Sequence, residues 1–202
     1  MSGSELSSKE IILQTVLPLF ADKGYEGVSM RQIAKTVGMR PASLYHHFPD
    51  KKTLYLEALA RAFTSTSSLL LEGLTKEGTA QQRFERIVRD MVQDRLDNPV
   101  FHQIISREIL DGDDERLKQL STQVFAESFQ KLVQFLGPIT KKSKPDQLVM
   151  SLIAIIHHHY DTASIRRHLP GYDKKSDDKE TFINHVLQLF MPLIAQTPAT
   201  DT

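Results

Sequence analysis

The sequence contains no cysteine and no tryptophan, and it has no long apolar run. Without cysteine, disulfides, thiolate zinc sites and cysteine nucleophiles are excluded, and a reducing, cytoplasmic location fits this composition. No apolar stretch approaches the roughly 20 residues that cross a bilayer, so we expect no membrane-spanning segment. The opening MSGSELSSKE lacks a basic segment followed by an apolar one, and we expect no signal peptide. A chain of 202 residues with 40% hydrophobic residues is typical of one or two soluble globular domains.

The chain also lacks a net charge, because 25 basic residues balance 25 acidic ones. These charges are unevenly distributed along it. Residues 27–61 hold six lysines and arginines against Asp50 and Glu57, and residues 27–49 hold no acid. A basic segment within an otherwise acidic protein predicts a local site for a polyanion.

Helical patterns cover almost the whole chain, and no long stretch alternates as a strand would. The pairs Ser7–Glu10 and Ser29–Gln32 match capping boxes at the starts of two helices. Pro41 suits the first position of a third helix of about two turns, and Asp50 suits the cap of a fourth. Further helices are predicted at about 80–97, 100–110, 114–136, 145–168 and 178–195. The sequence therefore predicts an all-α fold.

Residues 28–48, VSMRQIAKTVGMRPASLYHHF, contain two short helical patterns around a glycine turn, as a helix-turn-helix does. Leu44 and Phe48, spaced i and i+4, give the second helix an apolar back. Ile33 and Val37 of the first helix are the expected partners of that back. The opposite face carries hydroxyl, imidazole and arginine groups and no acid. In a helix-turn-helix, the second helix enters the DNA major groove and presents its first residues to the base edges.

The same region resembles the DNA-binding domain of the TetR (tetracycline-repressor) family of bacterial regulators. The resemblance rests on F-x-x-K-G-Y-E-G-V-S at residues 20–29, I-A-x-x-V-G at 33–38, and L-Y-x-H-F with K-x-x-L between 44 and 54. It implies an N-terminal three-helix helix-turn-helix head joined to a helical-bundle domain for ligand binding and dimerisation. The implied division is a head at 1–50, a linking helix at 51–74, the ligand-binding and dimerisation domain at 75–196, and a tail at 197–202.

A set of residues has an implied role in binding DNA. They are Ser29 and Arg31 at the second helix, Arg40, Ala42, Ser43, Tyr45, His46 and His47 at the third, and Lys51 at the fourth. Tyr45, His47 and Lys51 match phosphate contacts, whereas Arg40, Ala42, Ser43 and His46 match the variable positions that read bases. Arg40 departs from the small hydroxyl residue common at its position, since it is a poor cap but a good partner for guanine. For each residue, ordinary packing or an ordinary place on the solvated surface is the alternative.

A ligand-responsive regulator also needs an effector site, for which the helices between about 75 and 168 are the candidates. The candidate pocket residues are Phe101, His102, Ile105, Glu108, Phe125, Phe129, His157 and Asp161. An ordinary place in the core is the alternative for each of them. The run His157–His159 does not by itself predict a metal site, because consecutive helix residues point about 100° apart. We therefore expect neither a metal nor a cofactor.

The last two predicted helices, at 145–168 and 178–195, are expected to form the interface of a homodimer. The final helix is apolar on more than one face, through Phe182, Ile183, Val186, Leu187, Leu189, Phe190, Leu193 and Ile194. A terminal helix with apolar residues beyond one stripe is expected to need a second partner.

The favoured hypothesis is a ligand-responsive transcriptional regulator, by family habit a repressor. It would bind a palindromic double-stranded DNA operator as a homodimer and be released by an unknown small-molecule effector. One alternative is a metal-dependent helical-bundle enzyme using the His, Glu and Asp residues of the candidate pocket, but no recognisable catalytic set supports an enzyme. Another is an architectural DNA-binding protein without an effector. The effector, the operator, and repression as opposed to activation are not encoded in any of these patterns.

Overall fold

The protein is helical through nearly all of the chain that the computed structural model describes, residues 7–140 and 144–194. Within these ranges, the β-type pairing consists of a single bridge between Thr140 and Ile194. The predicted all-α class is confirmed. None of the described helices combines the length and the apolar character needed to cross a membrane. The predicted tail at 197–202 lies outside the described residues.

The helices follow one another with short connections. In chain order they are α1 Ser8–Lys23, α2 Met30–Thr36, α3 Pro41–His47, α4 Lys51–Thr75, α5 Ala80–Asp97, α6 Pro99–Asp111, α7 Asp114–Leu120, α8 Ala126–Leu136, α9 Pro145–Asp161, α10 Ala163–Arg166 and α11 Lys179–Phe190. A π-helical turn, Ser121–Phe125, joins α7 to α8, and 3₁₀ turns occupy Gly137–Ile139, Lys174–Asp177 and Met191–Leu193.

Both predicted capping boxes are present. The Ser7 hydroxyl accepts a hydrogen bond from the backbone N–H of Glu10, whose carboxylate accepts one from the backbone N–H of Ser7. Ser29 and Gln32 make the same reciprocal pair at the start of α2. Asp50 caps α4 as expected, because its Oδ1 accepts from the backbone N–H of Thr53 at 2.7 Å.

Three predicted helices are shorter or less regular than the sequence suggested. The helix expected at 114–136 contains the π-helical turn, and the one expected at 145–168 ends at Asp161. At that end the backbone of Thr162, with φ −93° and ψ 3°, leaves the α-helical region, and the short helix α10 follows. The helix expected at 178–195 ends at Phe190, because Pro192 cannot supply the N–H that would continue it.

One compact unit contains residues up to 65 together with residues 98–126. It therefore includes α1, α2 and α3, the first part of α4, α6 and α7. Its buried apolar core includes Ile12, Val16, Phe20, Val28, Ile33, Leu44, Phe48, Leu54, Leu59, Phe101, Ile104 and Leu120. In this core the side chains of Leu44 and Phe48 are fully buried, as is that of Ile33, whereas Val37 is half-buried. The expected apolar back of α3 is confirmed.

The other compact unit contains residues 66–97 and the residues from 127 onward. Its core includes Phe84, Ile87, Val92, Leu132, Leu152, Ile156, Phe182, Ile183, Val186, Leu187, Phe190 and Ile194. Helix α11 is apolar on more than one face because it packs against both α5 and α9 within this unit. Of the apolar residues that predicted this pattern, only Leu189 of α11 and Leu193 of the 3₁₀ turn after it are exposed. The expectation that this pattern requires a partner outside the chain was wrong for most of the residues on which it rested.

Truncating Phe48 should destabilise the first unit. We expect Phe48→Ala to lower the free energy of unfolding by about 3–5 kcal/mol, because it removes a fully buried ring from the back of α3. Chemical denaturation measures this change. His46→Ala, on the exposed face of the same helix, serves as the control and should stay within about 0.5 kcal/mol of the unmodified protein. Equal stabilities of the two variants would contradict the assigned orientation of α3.

Candidate nucleic-acid interface

The face of α3 opposite its buried back is open to solvent. Tyr45 is 52% exposed, and Ala42 and His46 are also exposed, whereas Ser43 and His47 are half-buried. No acidic side chain lies on α3 itself. The face therefore offers a phenol and imidazoles to a partner, at the helix whose N-terminal end a helix-turn-helix directs to base edges.

Arg40 occupies the N-cap position of α3, with extended backbone angles of φ −71° and ψ 143°. Its side chain makes no capping hydrogen bond, and the residue is exposed. Pro41 at the first helical position has no N–H for a cap to satisfy. The guanidinium group is thus not used to start the helix.

The start of α2 presents Ser29 and Arg31, both exposed. The Ser29 hydroxyl accepts from the backbone N–H of Gln32 at 3.3 Å and donates to the Gln32 side-chain oxygen at 3.0 Å. Its hydrogen-bonding capacity is therefore directed largely at the capping box. Arg31 is the more accessible cation at this end of the helix.

Lys51, at the start of α4, is bound to the turn between α1 and α2. Its Nζ donates to the carbonyl oxygen of Tyr25 at 2.9 Å and lies 4.1 Å from the centre of the Tyr25 ring. Glu26 Oε2 is more distant, at 3.7 Å from the same nitrogen. An ammonium group has three N–H donors, so the bond to a neutral carbonyl leaves others for a phosphate. The contacts fix the position of the Lys51 charge.

A buried ionic group lies close to the turn between α1 and α2. Glu108 of α6 is 1% exposed and Arg116 of α7 is 7% exposed. Arg116 Nε donates to Glu108 Oε2 at 3.0 Å, and the Tyr55 hydroxyl donates to Glu108 Oε1 at 2.8 Å. Burial, followed by the charge of Glu108, raises the pKa of Tyr55, which keeps the phenol neutral and able to donate. The carboxylate is thereby paired and hydrogen-bonded, as a buried charge requires.

Arg116 extends the same group to the turn between α1 and α2. Its guanidinium carbon lies 4.4 Å from the centre of the Tyr25 ring, and its Nη1 lies 3.3 Å from Glu26 Oε1. Tyr25 is therefore in contact with two cations, Arg116 and Lys51. Sequence reasoning missed these roles, since Tyr55 and Glu108 are 53 positions apart. Tyr25 and Glu26 do belong to the motif at residues 20–29, which was the available signal.

The predicted pocket residues are divided between the two units. Phe101, His102, Ile105, Glu108 and Phe125 belong to the first, and Phe129, His157 and Asp161 belong to the second. In the first unit, the Phe101 ring centre lies 5.2 Å from that of His102 and 6.5 Å from that of Phe125. In the second, Arg95 Nη2 lies 2.5 Å from Asp161 Oδ1. That these residues line one ligand site stays a prediction.

His159, in the histidine run of α9, has a structural environment. Its ring stacks on Phe182 with 3.6 Å between the centres, and its Nδ1 lies 2.7 Å from Arg166 Nη1. Burial and the Arg166 charge lower the pKa of His159 to about 4, so a neutral imidazole faces the guanidinium. Among the residues that the structure describes, no three His, Asp or Glu side chains lie together in a way that could hold a metal ion.

Comparison with known proteins finds a family match that lies within the first unit. Residues 12–58 match the family model for bacterial regulatory proteins of the tetR family. The biofilm operon icaADBC HTH-type negative transcriptional regulator IcaR of Staphylococcus aureus is 34% identical over 68 residues, 34% of this chain and 37% of that protein. The HTH-type transcriptional repressor AcnR of Corynebacterium diphtheriae is 34% identical over 93 residues, 46% of this chain and 44% of that protein. Residues 12–58 are thus similar to the N-terminal segment of tetR-family regulators.

The TetR-family fold extends beyond the matched sequence. A bacterial regulatory protein in the tetR family from Rhodococcus RHA1 superposes with a TM-score of 0.69 at 16% identity, over 96% of this chain and 100% of that chain. Identity this low shows the fold alone. The sequence matches span less than half the length of the two curated TetR-family relatives. The match at 12–58 contains every position with an implied role in binding DNA.

Removing the buried carboxylate should strongly destabilise the protein. We expect Glu108→Ala to lower the free energy of unfolding by about 3–5 kcal/mol, because Arg116 would be left buried without its main partner. Tyr55→Phe removes one hydrogen bond and should cost about 1–2 kcal/mol.

Chemical denaturation at neutral pH measures both changes. Glu127→Ala is the control, because Glu127 pairs with Lys131 at the surface, and its loss should change the unfolding free energy by less than about 0.5 kcal/mol. A Glu108→Ala protein as stable as Glu127→Ala would contradict a stabilising role for the buried group.

Proposed function

We propose that this chain is a TetR-family transcriptional regulator of the repressor type that binds double-stranded DNA through α3. The observation that carries the proposal is the division of α3 into a fully buried apolar back and an exposed, acid-free front. Such a helix is held rigidly while its front remains available to a groove. The two curated relatives, a negative regulator and a repressor, support the same function. Because its target is DNA, we place this activity in the cytoplasm.

Phosphate contacts and base contacts fall to different residues in this proposal. Tyr45 and His47 on α3 and Lys51 at the start of α4 bind phosphates and fix the protein on the duplex. Arg31 and Ser29 approach the DNA backbone or an adjacent base from α2. The N-terminal part of α3 reads the sequence, with Arg40 free to make the bidentate contact that arginine makes with guanine.

We further propose that the regulator acts as a homodimer on a palindromic operator. A single α3 reads one half-site, and joining two heads raises the effective concentration of the second. Exposed apolar residues on α9, on α11 and in the turn after α11, namely Met150, Leu189 and Leu193, support an interface formed by these helices. Helices α9 and α11 pack on each other within one unit, so two copies would build a four-helix interface.

Release of DNA by a small-molecule effector completes the proposal. The buried ring of Phe101 and the partly buried rings of Phe63 and Phe125 support an apolar ligand, because their centres lie between 5.1 and 6.5 Å apart. An effector can lower the population of the DNA-binding conformation only to the extent that it binds another conformation more tightly. The alternative of a metal-dependent enzyme is not retained, since the named relatives are transcriptional regulators.

Substitutions on α3 should separate base reading from phosphate binding. With duplexes selected from a random pool, we expect Arg40→Ala to lose about 5- to 100-fold in affinity for the selected sequence and little for an unrelated duplex. Tyr45→Ala should weaken binding to both duplexes to a similar extent, because a phosphate contact carries no sequence information.

Fluorescence anisotropy over a range of salt concentrations measures these affinities. Arg167→Ala, which removes an exposed arginine from the other unit, is the matched control and should bind as the unmodified protein does. Equal losses on both duplexes for Arg40→Ala would refute its base-reading role. An unmodified protein without salt-sensitive binding to any duplex would refute the function.

A charge placed on the exposed apolar surface of α11 should prevent dimerisation. We expect Leu189→Glu to convert the protein from dimer to monomer, because a carboxylate at a 47% exposed leucine would be buried on association. Sedimentation velocity measures the change. Leu169→Glu, at a 55% exposed leucine outside both helices, is the control and should remain dimeric. A dimeric Leu189→Glu protein together with a monomeric Leu169→Glu protein would place the interface elsewhere.

A further inference from the structure

Lys52 follows the phosphate-binding candidate Lys51, but its charge is paired within the protein. Its Nζ lies 2.6 Å from Glu115 Oε1, and both side chains are accessible, at 33% for Lys52 and 75% for Glu115. The two lysines therefore differ in their partners. Lys51 donates to a neutral carbonyl and lies 3.7 Å from the nearest carboxylate oxygen, whereas Lys52 makes a direct ion pair.

The backbone of Glu115 is positioned by well-anchored neighbours on both sides. Asp113 caps α7, since its Oδ1 accepts from the backbone N–H of Arg116 at 2.8 Å. Arg116 is buried and bonded to Glu108, which fixes the first turn of α7 against α6. Glu115 lies between these two residues in sequence, so its backbone position is set on both sides. An isolated surface ion pair contributes little, but an anchored partner loses less conformational freedom on pairing.

We propose that Glu115 competes with DNA phosphate for Lys52 and thereby lowers the affinity of the protein for DNA. The inference rests on the proposed function and concerns regulation of the same DNA-binding surface. Lys52 keeps other N–H donors, but the carboxylate already balances its charge, so a phosphate competes with Glu115 for the attraction of one cation. Lys52 then contributes less to counterion release than a free lysine, which adds about 0.9 to the slope of log affinity against log salt.

Replacing Glu115 by glutamine in the full chain tests the inference. Two probes are used, a duplex selected from a random pool and an unrelated duplex of equal length. We expect Glu115→Gln to raise the affinity for both by about 3- to 10-fold at roughly 0.1 M salt, and to steepen the salt slope by about 0.9. Asp114→Asn, the same charge change at the adjacent exposed residue, should change the affinity by less than about twofold.

A double-mutant cycle with Lys52→Gln separates competition from general repulsion. If Glu115 acts through Lys52, Glu115→Gln should alter the affinity by less than about twofold once Lys52 is replaced. An equal gain with and without Lys52 would overturn the inference, because the carboxylate would then act on DNA directly. No gain in the Lys52-containing protein would also overturn it.

The same measurements distinguish this inference from the proposed function. Salt-sensitive binding by the unmodified protein, without a gain for Glu115→Gln, refutes only the competition. Failure of the unmodified protein to bind either duplex refutes the function and the competition together. Coincident denaturation curves for the variants and the unmodified protein verify that the fold is unchanged.

Discussion

The burial of Leu44 and Phe48 is the constraint on which the exposed face of α3 depends. A helix of seven residues has too few internal hydrogen bonds to persist alone in water, so tertiary packing must hold it. Both side chains are completely buried in the core that α3 shares with α2 and α4. With its back fixed, the helix cannot rotate, and the positions of Tyr45 and His46 on the open side follow. The residues on that open side can therefore differ in identity while the orientation of the helix is preserved.

A second constraint comes from α6 and α7, which belong to the same compact unit as α1 to α3. Arg107 of α6 donates to the carbonyl of Ala21 at the end of α1, at 2.9 Å. Glu108 and Arg116 then connect α6 and α7 with Tyr25 in the next turn. The placement of the cations at the start of α4 thus depends on residues far along the chain. A substitution in the first turn of α7 would therefore alter the positions of Lys51 and Lys52 through direct contacts.

Local chemistry made much of this fold predictable from the sequence. The capping boxes at Ser7 and Ser29 and the i, i+4 pair of Leu44 and Phe48 depend on neighbours within one or two helical turns. Glu108 shows the limit of prediction from local patterns. The sequence suggested that it lines a ligand pocket, whereas in the structure its buried carboxylate binds Arg116 and Tyr55. Helix α11 shows a related gap. Periodicity identified its apolar faces but not their partners, which are α5 and α9 of the same unit. Pairings between distant helices leave no periodic signal.

The charge of the surface formed by α3 and the start of α4 also depends on residues that are distant in sequence. Residues 27–61 have an excess of basic residues, yet Glu26 and Glu115 lie outside that segment and approach its cations in space. The charge offered to DNA is therefore smaller than the count along the segment suggests. The family match ends at residue 58, well before Glu115. It therefore includes Lys51 and Lys52 but not the Glu115 carboxylate, which reduces the positive charge at Lys52. Two TetR-family heads with identical motifs can then differ in affinity and in salt dependence, because a carboxylate on α7 sets the strength with which one lysine is available to phosphate.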